Sequence, residues 1–145
     1  MVPGRVYRHE QFYLDRETGL LKPKYLLVLA VDSSGDCVAR LLTSRAYGRR
    51  EDPPCFHGAP YPGYFLGVPG HSLALRTWID LRPLEDFDGL EFQRLMARGL
   101  ICAVLDLPAT VFIDVLDCAA RADDTTRNQE RAIRAELERQ RGKLS

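Results

Sequence analysis

The apolar run Tyr25–Val31, together with the run that follows it after one turn, constrains the fold more than any other part of the chain. A short, uninterrupted apolar run is typical of a β-strand that is buried on both faces. The segment Asp32–Asp36 has the Asp, Ser and Gly residues of a hairpin turn, and Cys37–Leu42 then supplies a returning strand. We therefore expect the two runs to form a buried β-hairpin.

Other strand-like segments surround this hairpin within residues 3–82. Polar or Gly/Pro-rich turns separate them, and no helical pattern lies between them. The segments are Val6-Tyr7, Gln11–Leu14, Tyr64–Val68 and Leu73–Leu81. Such a succession predicts a small β-barrel or sandwich. A long loop from Arg45 to Gly63, rich in Pro, Gly and charged residues, interrupts the succession.

Helical patterns follow the strands. Asp88 is a suitable N-cap for a helix over Leu90–Arg98, and Gly99 is a suitable stop. Leu100–Leu105 fits either a strand or a helix. Pro108 suits the first position of a second helix, because its missing N–H needs no partner there. The apolar residues of that helix recur at helical spacing and should pack on the barrel: Phe112, Val115, Leu116 and Ala119.

Residues 123–145 have the pattern of a polar helix. Asp123–Thr126 supplies an N-cap and negative charge at the positive end of the helix dipole. Ile133 and Leu137 give the helix only a narrow apolar stripe, so it could lie on the domain surface, pair with a partner or fray. We therefore divide the chain into a barrel domain with a closing helix, 1–122, and a polar C-terminal helix or tail, 123–145.

Composition limits the class of protein. The 145 residues suffice for one domain with a proper core, and the charged and apolar fractions are those of globular proteins. No apolar run reaches the roughly 18 residues of a membrane span. The first residues lack the apolar core of an export signal. The four cysteines are widely spaced with no Cys-x-x-Cys pair, which favours reduced thiols in a cytoplasmic protein away from the membrane.

The net charge is zero, but the charges are distributed unevenly. Residues 1–50 hold nine Lys and Arg against five Asp and Glu, whereas residues 51–120 hold four against ten. The chain therefore lacks the overall basic excess that many nucleic-acid binders have. Any contact with phosphate is expected to be local and to involve the first 50 residues.

Four pieces of the chain resemble, in their order, the MazF/PemK-type (CcdB-like) toxin family. The pieces are Gly4–Tyr7, Lys22-Pro23 with Leu26–Leu29, Leu41–Ser44 and Thr77–Arg82. The resemblance covers roughly residues 4–82, and the helix expected at 108–120 is compatible with the closing helix of the family. The order of the pieces is more specific than any one of them.

The resemblance implies a fold, an activity and partners. Members of the family are SH3-like barrels, usually dimers, that cleave single-stranded RNA without a metal. For this chain the resemblance implies an α+β fold with a small SH3-like antiparallel β-barrel, packed helices and a polar C-terminal helix. It also implies a homodimer that acts on single-stranded RNA without a cofactor. An antitoxin protein is the second implied partner.

The resemblance also places individual residues. Lys22 stands where the family usually has an Arg that stabilises the scissile phosphate, and Thr43 stands where a Thr lies beside that phosphate. Arg82 lies near a later basic position of the family. The substitution at position 22 matters, because a Lys cannot make the bidentate contact with phosphate that an Arg makes.

Metal-free RNA cleavage requires a base for the 2′-hydroxyl, charge stabilisation at phosphorus and a proton for the leaving oxygen. His57 is the candidate for proton transfer, because histidine exchanges protons near neutral pH. Tyrosines such as Tyr61 and Tyr64 could stack on unpaired bases. The predicted catalytic residues are Lys22, Thr43 and His57. The predicted RNA-binding residues are Lys24, Ser44, Arg45, Tyr61 and Arg82.

Each of these residues also has a structural explanation. Thr43 and Ser44 could simply end a strand by bonding to its own backbone. The lysines could be surface charges, and the loop residues could pack the loop down. A non-catalytic barrel that binds a protein partner or nucleic acid is therefore the alternative function.

A structural zinc site is a further alternative. Cys55 and His57 are two residues apart, and Cys37 and His71 could complete a tetrahedral ligand set. This spacing does not match the usual zinc-finger pattern.

Overall fold

A computed structural model describes residues 1–145 as one seven-stranded antiparallel sheet with three helices. The strands are β1 (Arg5–Asp15), β2 (Leu20–Val31), β3 (Cys37–Thr43), β4 (Cys55–Phe56), β5 (Gly63–Gly67), β6 (Thr77–Asp80) and β7 (Ile101–Asp106). The helices are α1 (Gly89–Ala97), α2 (Ala109–Ala120) and α3 (Arg127–Leu144). The predicted α+β class and antiparallel pairing are therefore confirmed.

The predicted hairpin lies at the centre of the sheet. Strands β2 and β3 pair antiparallel, and Asp32 organises their turn by accepting hydrogen bonds from the N–H groups of Ser34 and Asp36. Alternate residues of β2 enter different cores. Leu27 joins the larger core, which contains residues of α2 and α3, whereas Leu26 joins a smaller core with Phe92 of α1. This strand is buried on both faces, as its uninterrupted apolar run predicts.

The sheet is open. Its strand order is β4-β5-β6-β3-β2-β1-β7, and no pairing joins the edge strands β4 and β7. The closed barrel expected from the sequence is therefore not formed by backbone hydrogen bonds. Strand β6 spans only Thr77–Asp80, because the preceding segment makes a separate turn in which Gly70 and Leu73 pair with each other.

Capping residues and apolar spacing in the sequence predicted the first two helices. Asp88 caps α1 by accepting a hydrogen bond from the N–H of Glu91, and Gly99 follows the helix with φ +74°. The ambiguous segment after it is strand β7, which pairs with β1. Helix α2 buries the four residues predicted to face the core, but Pro108 is its N-cap and not its first residue. None of the three helices combines the length and apolarity required to cross a membrane.

Helix α3 is docked on the domain through both apolar and polar contacts. It packs against β2, β3 and α2, and both Ile133 and Leu137 belong to the larger core. Thr126 begins it with a capping box, in which Thr126 and Gln129 each bond to the other's backbone N–H. Gln129 is itself buried and reaches into the sheet.

Candidate functional site

A cleft of about 670 Å³ lies beside the first half of β2, the end of β3 and strand β6. Three cations, four tyrosines and a single carboxylate, Asp80, are among its lining residues. Six of the eight predicted site residues line it: Lys24, Thr43, Ser44, Arg45, Tyr61 and Arg82. Most of the predicted site residues therefore meet at one surface, although the six come from four separate parts of the chain.

Strand pairing explains how distant residues meet in the cleft. Leu26 of β2 pairs with Leu41 of β3, so Lys24 lies next to the end of β3. On its other side β3 pairs with β6, where Thr43 stands opposite Trp78. Asp80 follows two residues later on β6 and points to the same face as Trp78, because side chains alternate along a strand.

The loop after β3 forms an aromatic and cationic wall of the cleft. The rings of Tyr47 and Tyr61 lie 5.2 Å apart between centroids. The guanidinium of Arg82 lies 4.9 Å from the centre of the Tyr61 ring. Arg45 donates a hydrogen bond of 2.7 Å to the Tyr47 hydroxyl, which raises the pKa of Arg45. Each tyrosine therefore has an arginine beside it.

Asp80 forms ion pairs with two arginines. Burial alone would raise the pKa of Asp80, but hydrogen bonds from Arg82 and the charge of Arg49 outweigh burial and hold this pKa below its ordinary value. The ion pairs measure 2.6 Å to Arg82 and 3.1 Å to Arg49. By contrast, neither Lys24 nor Arg45 forms an ion pair with a carboxylate. These two charges remain available to a ligand.

Arg49 holds the loop in place from beneath. Its buried guanidinium donates hydrogen bonds to the carbonyl oxygens of Pro62 and Arg45, which are at opposite ends of the loop. Gly63 makes room for this side chain, because a Cβ at that position would lie 2.5 Å from Cδ of Arg49. Arg49 thereby fixes the segment that carries both Tyr47 and Tyr61.

Two predicted catalytic residues do not line the cleft. Lys22 lies two residues before Lys24 on β2, opposite Tyr13 of β1 and nearer the turn that joins β1 to β2. His57 lies beside Cys55 and Cys118, where its Nε2 is 2.9 Å from the Cys118 carbonyl oxygen. Tyr64, which the sequence offered as one tyrosine that could stack on a base, is buried in the larger core and is not accessible to a ligand.

Thr43 lines the cleft but also has a structural role. Its Oγ1 accepts a hydrogen bond from the backbone N–H of Arg45 at 3.1 Å. This contact is the strand-ending backbone bond that the sequence left open as an alternative. The hydroxyl hydrogen of Thr43 remains free to donate.

Five aromatic or charged residues of this site were not predicted from the sequence. Tyr13, Tyr25, Tyr47 and Asp80 line the cleft, and Arg49 supports it. Tyr47 follows the Thr-Ser-Arg segment closely, so its position was an available signal. The buried role of Arg49 had no local signal, because it depends on packing beneath a loop.

The prediction of four reduced cysteines is wrong for two of them. Cys55 and Cys118 form a disulfide across a sequence separation of 63, whereas Cys37 and Cys102 are free. The packing of α2 against β4 brings the pair together, and spacing in sequence carries no signal of it. The zinc ligand set considered as an alternative is not assembled, because Cys118 accompanies Cys55 and His57 in place of Cys37 and His71.

No protein-family model, curated protein or solved structure matches the chain.

Proposed function

We propose that the cleft binds single-stranded RNA and that the chain is an endoribonuclease of the MazF/PemK-like toxin type. The composition of the cleft carries this proposal, since three cations and four tyrosines accompany one carboxylate. That carboxylate, Asp80, is already paired with Arg49 and Arg82. The charges of Lys24 and Arg45 are therefore available to the phosphate backbone.

The tyrosines favour a single strand over a duplex. The exposed ring of Tyr47 and the ring of Tyr61 form a surface on which an unpaired base can stack. Stacking of this kind contributes about 1–3 kcal/mol per base and is tolerant of sequence. Bases inside a duplex are already stacked on their neighbours, so they cannot use this surface.

For cleavage, the cations would act on the charge that builds up at phosphorus. The 2′-oxygen loses its proton to a water molecule and attacks phosphorus, and the 5′-oxygen departs and gains a proton from water. The products are a 2′,3′-cyclic phosphate and a 5′-hydroxyl end. Arg45 would stabilise the developing negative charge, and the free hydroxyl hydrogen of Thr43 would be donated to a phosphate oxygen. The resemblance of residues 4–82 supports an SH3-like barrel relationship, metal independence, a homodimer and an antitoxin partner.

Binding is tested by the fluorescence anisotropy of a short labelled RNA strand and of the matching duplex. We expect the Arg45→Ala variant to bind the strand about tenfold more weakly and to reduce the salt slope by about one. Arg94→Ala is the matched control, because it removes one exposed arginine of α1 outside the cleft. Equal losses in both variants, or no preference for the single strand, would contradict the proposal.

A non-catalytic RNA-binding protein is the second candidate. It is favoured because His57 lies outside the cleft and because the lowered pKa of Asp80 makes that carboxylate a weak base. The two candidates are separated by incubating labelled RNA with the protein in a chelator and analysing the ends produced. Cyclic phosphate ends that disappear in Thr43→Ala, with growth arrest on expression in bacteria, support the enzyme. Binding without cleavage, and harmless expression, support the second candidate.

A further inference from the structure

We propose that Cys55, His57 and Cys118 form a second site, which binds one zinc ion when the disulfide is reduced. None of the three residues lines the cleft, so the proposal is independent of RNA binding. The site joins two elements: Cys55 belongs to β4, His57 follows it directly, and Cys118 lies in the last turn of α2.

The distances from the imidazole nitrogen to the two sulfurs suit a tetrahedral zinc site, whereas the two sulfurs are bonded to each other and must separate on reduction. The two sulfurs and the imidazole nitrogen all lie within 4.8 Å of one another. Nε2 of His57 is 3.4 Å from Sγ of Cys55 and 3.5 Å from Sγ of Cys118. Zinc bonds of about 2.3 Å to sulfur and about 2.0–2.1 Å to nitrogen give a sulfur–nitrogen separation of about 3.6 Å at a tetrahedral angle. The histidine is therefore already placed relative to both sulfurs.

Reduction supplies the other two ligands. A dithiol reductant transfers two electrons and two protons to the disulfide, which yields two protein thiols and a cyclic disulfide of the reductant. Zinc then replaces the two thiol protons, so that both cysteines bind as thiolates. Two thiolates neutralise the charge of the ion, and a water molecule takes the fourth position.

Two neighbouring contacts bear on this exchange. Nε2 of His57 now faces the Cys118 carbonyl oxygen at 2.9 Å, so it would exchange this partner for the metal. Nη2 of Arg121 lies 3.8 Å from Sγ of Cys55. The same nitrogen is also paired with a carboxylate oxygen of Asp117 at 3.1 Å, so its charge is shared between the carboxylate and the sulfur. Sulfur and imidazole ligands select zinc over magnesium or calcium.

The experiment titrates the reduced full-length chain, freed of reductant under anaerobic conditions, with Co²⁺ as a spectroscopic substitute for zinc. We expect one equivalent to bind, with thiolate-to-cobalt charge-transfer absorption and the visible bands of a tetrahedral ion. Added Zn²⁺ should abolish both. The oxidised chain should show neither signal.

Variants assign the ligands. His57→Gln and Cys55→Ser should each weaken cobalt binding at least tenfold, and circular dichroism checks that both variants are folded. Cys102→Ser is the matched control, because Cys102 is a free, exposed cysteine elsewhere in the chain and its loss should change nothing. The proposal is overturned by three outcomes: no charge-transfer absorption in the reduced chain, equal binding by the oxidised chain, or unchanged binding in folded His57→Gln.

Discussion

Arg40 lies in the middle of β3 and Arg45 two residues after its end, yet they belong to two different regions of the molecule. Arg40 is 1% exposed and donates hydrogen bonds to the Ala39 carbonyl oxygen and to Oε1 of Gln129 in α3. Arg45 is exposed in the cleft and is held only by the Tyr47 hydroxyl. One arginine connects a helix to the sheet, and the other is free to meet a ligand.

The difference shows why counting charges along the sequence overestimates an anion-binding surface. Residues 1–50 contain nine Lys and Arg, but Arg40 and Arg49 are buried. Burial lowers the pKa of Arg40, although the charges of Asp86, Asp80 and Asp124 oppose that effect. Only Lys24 and Arg45 from this part of the chain line the cleft.

The largest expected effect is on stability, in Arg40→Ala. Removing this side chain leaves a cavity and takes a donor from both Ala39 and Gln129, so we expect the free energy of unfolding to fall by about 2–4 kcal/mol. Urea denaturation measures the change. Arg45→Ala should stay within about 0.5 kcal/mol of the unmodified chain. If the two variants lose equal stability, the contrast between the two arginines is wrong.

Asp80 lines the cleft and pairs with the buried Arg49, so its loss should lower stability. Asp80→Asn leaves the buried Arg49 without its counter-charge and should cost about 1–3 kcal/mol of stability at neutral pH. The pKa of Asp80 is lowered in the folded state. Its contribution is therefore present above the ordinary pKa of about 3.9 and is lost as the pH falls through the folded-state value.

Unfolding measured between neutral and acid pH tests this assignment. The unmodified chain should lose more stability on acidification than Asp80→Asn, because the variant has already lost the ionised group. If the free energy of unfolding falls equally in the two proteins on acidification, Asp80 does not carry this pH dependence.

The next largest expected effect is on RNA affinity, in Tyr61→Ala, which removes a stacking ring. We expect single-stranded RNA to bind about 1–3 kcal/mol more weakly, whereas Tyr61→Phe keeps the ring and should keep most of the affinity. Anisotropy titration at fixed salt measures both variants, and urea denaturation shows whether Tyr61→Ala is still folded. A similar loss in Tyr61→Phe would mean that the hydroxyl, and not the ring, makes the contact.

The smallest effect concerns the start of α3. Thr126→Ala removes the side-chain acceptor for the Gln129 N–H and should lower stability by about 1 kcal/mol, whereas Thr126→Ser should retain it. RNA affinity should be unchanged in both variants. An affinity loss in Thr126→Ala would mean that the helix and the cleft are energetically coupled.

Local patterns predicted the parts of the fold that depend on neighbouring residues. The Asp32–Asp36 turn, the Asp88 cap and the apolar face of α2 each arise within a short segment. Six cleft residues were also predicted, four of which lie at or just after the ends of β3 and β6. The disulfide, the position of His57 and the buried role of Arg49 depend on contacts between distant segments. No local pattern carries that information.

The support that Arg49 gives from beneath has a consequence for any ligand of the cleft. Hydrogen bonds from Arg49 hold both ends of the loop, and the disulfide at Cys55 attaches the loop to α2. The walls of the cleft are thus ordered before anything binds. Conformational entropy lost on association then falls mainly on the incoming molecule, which favours rapid docking over folding around the ligand.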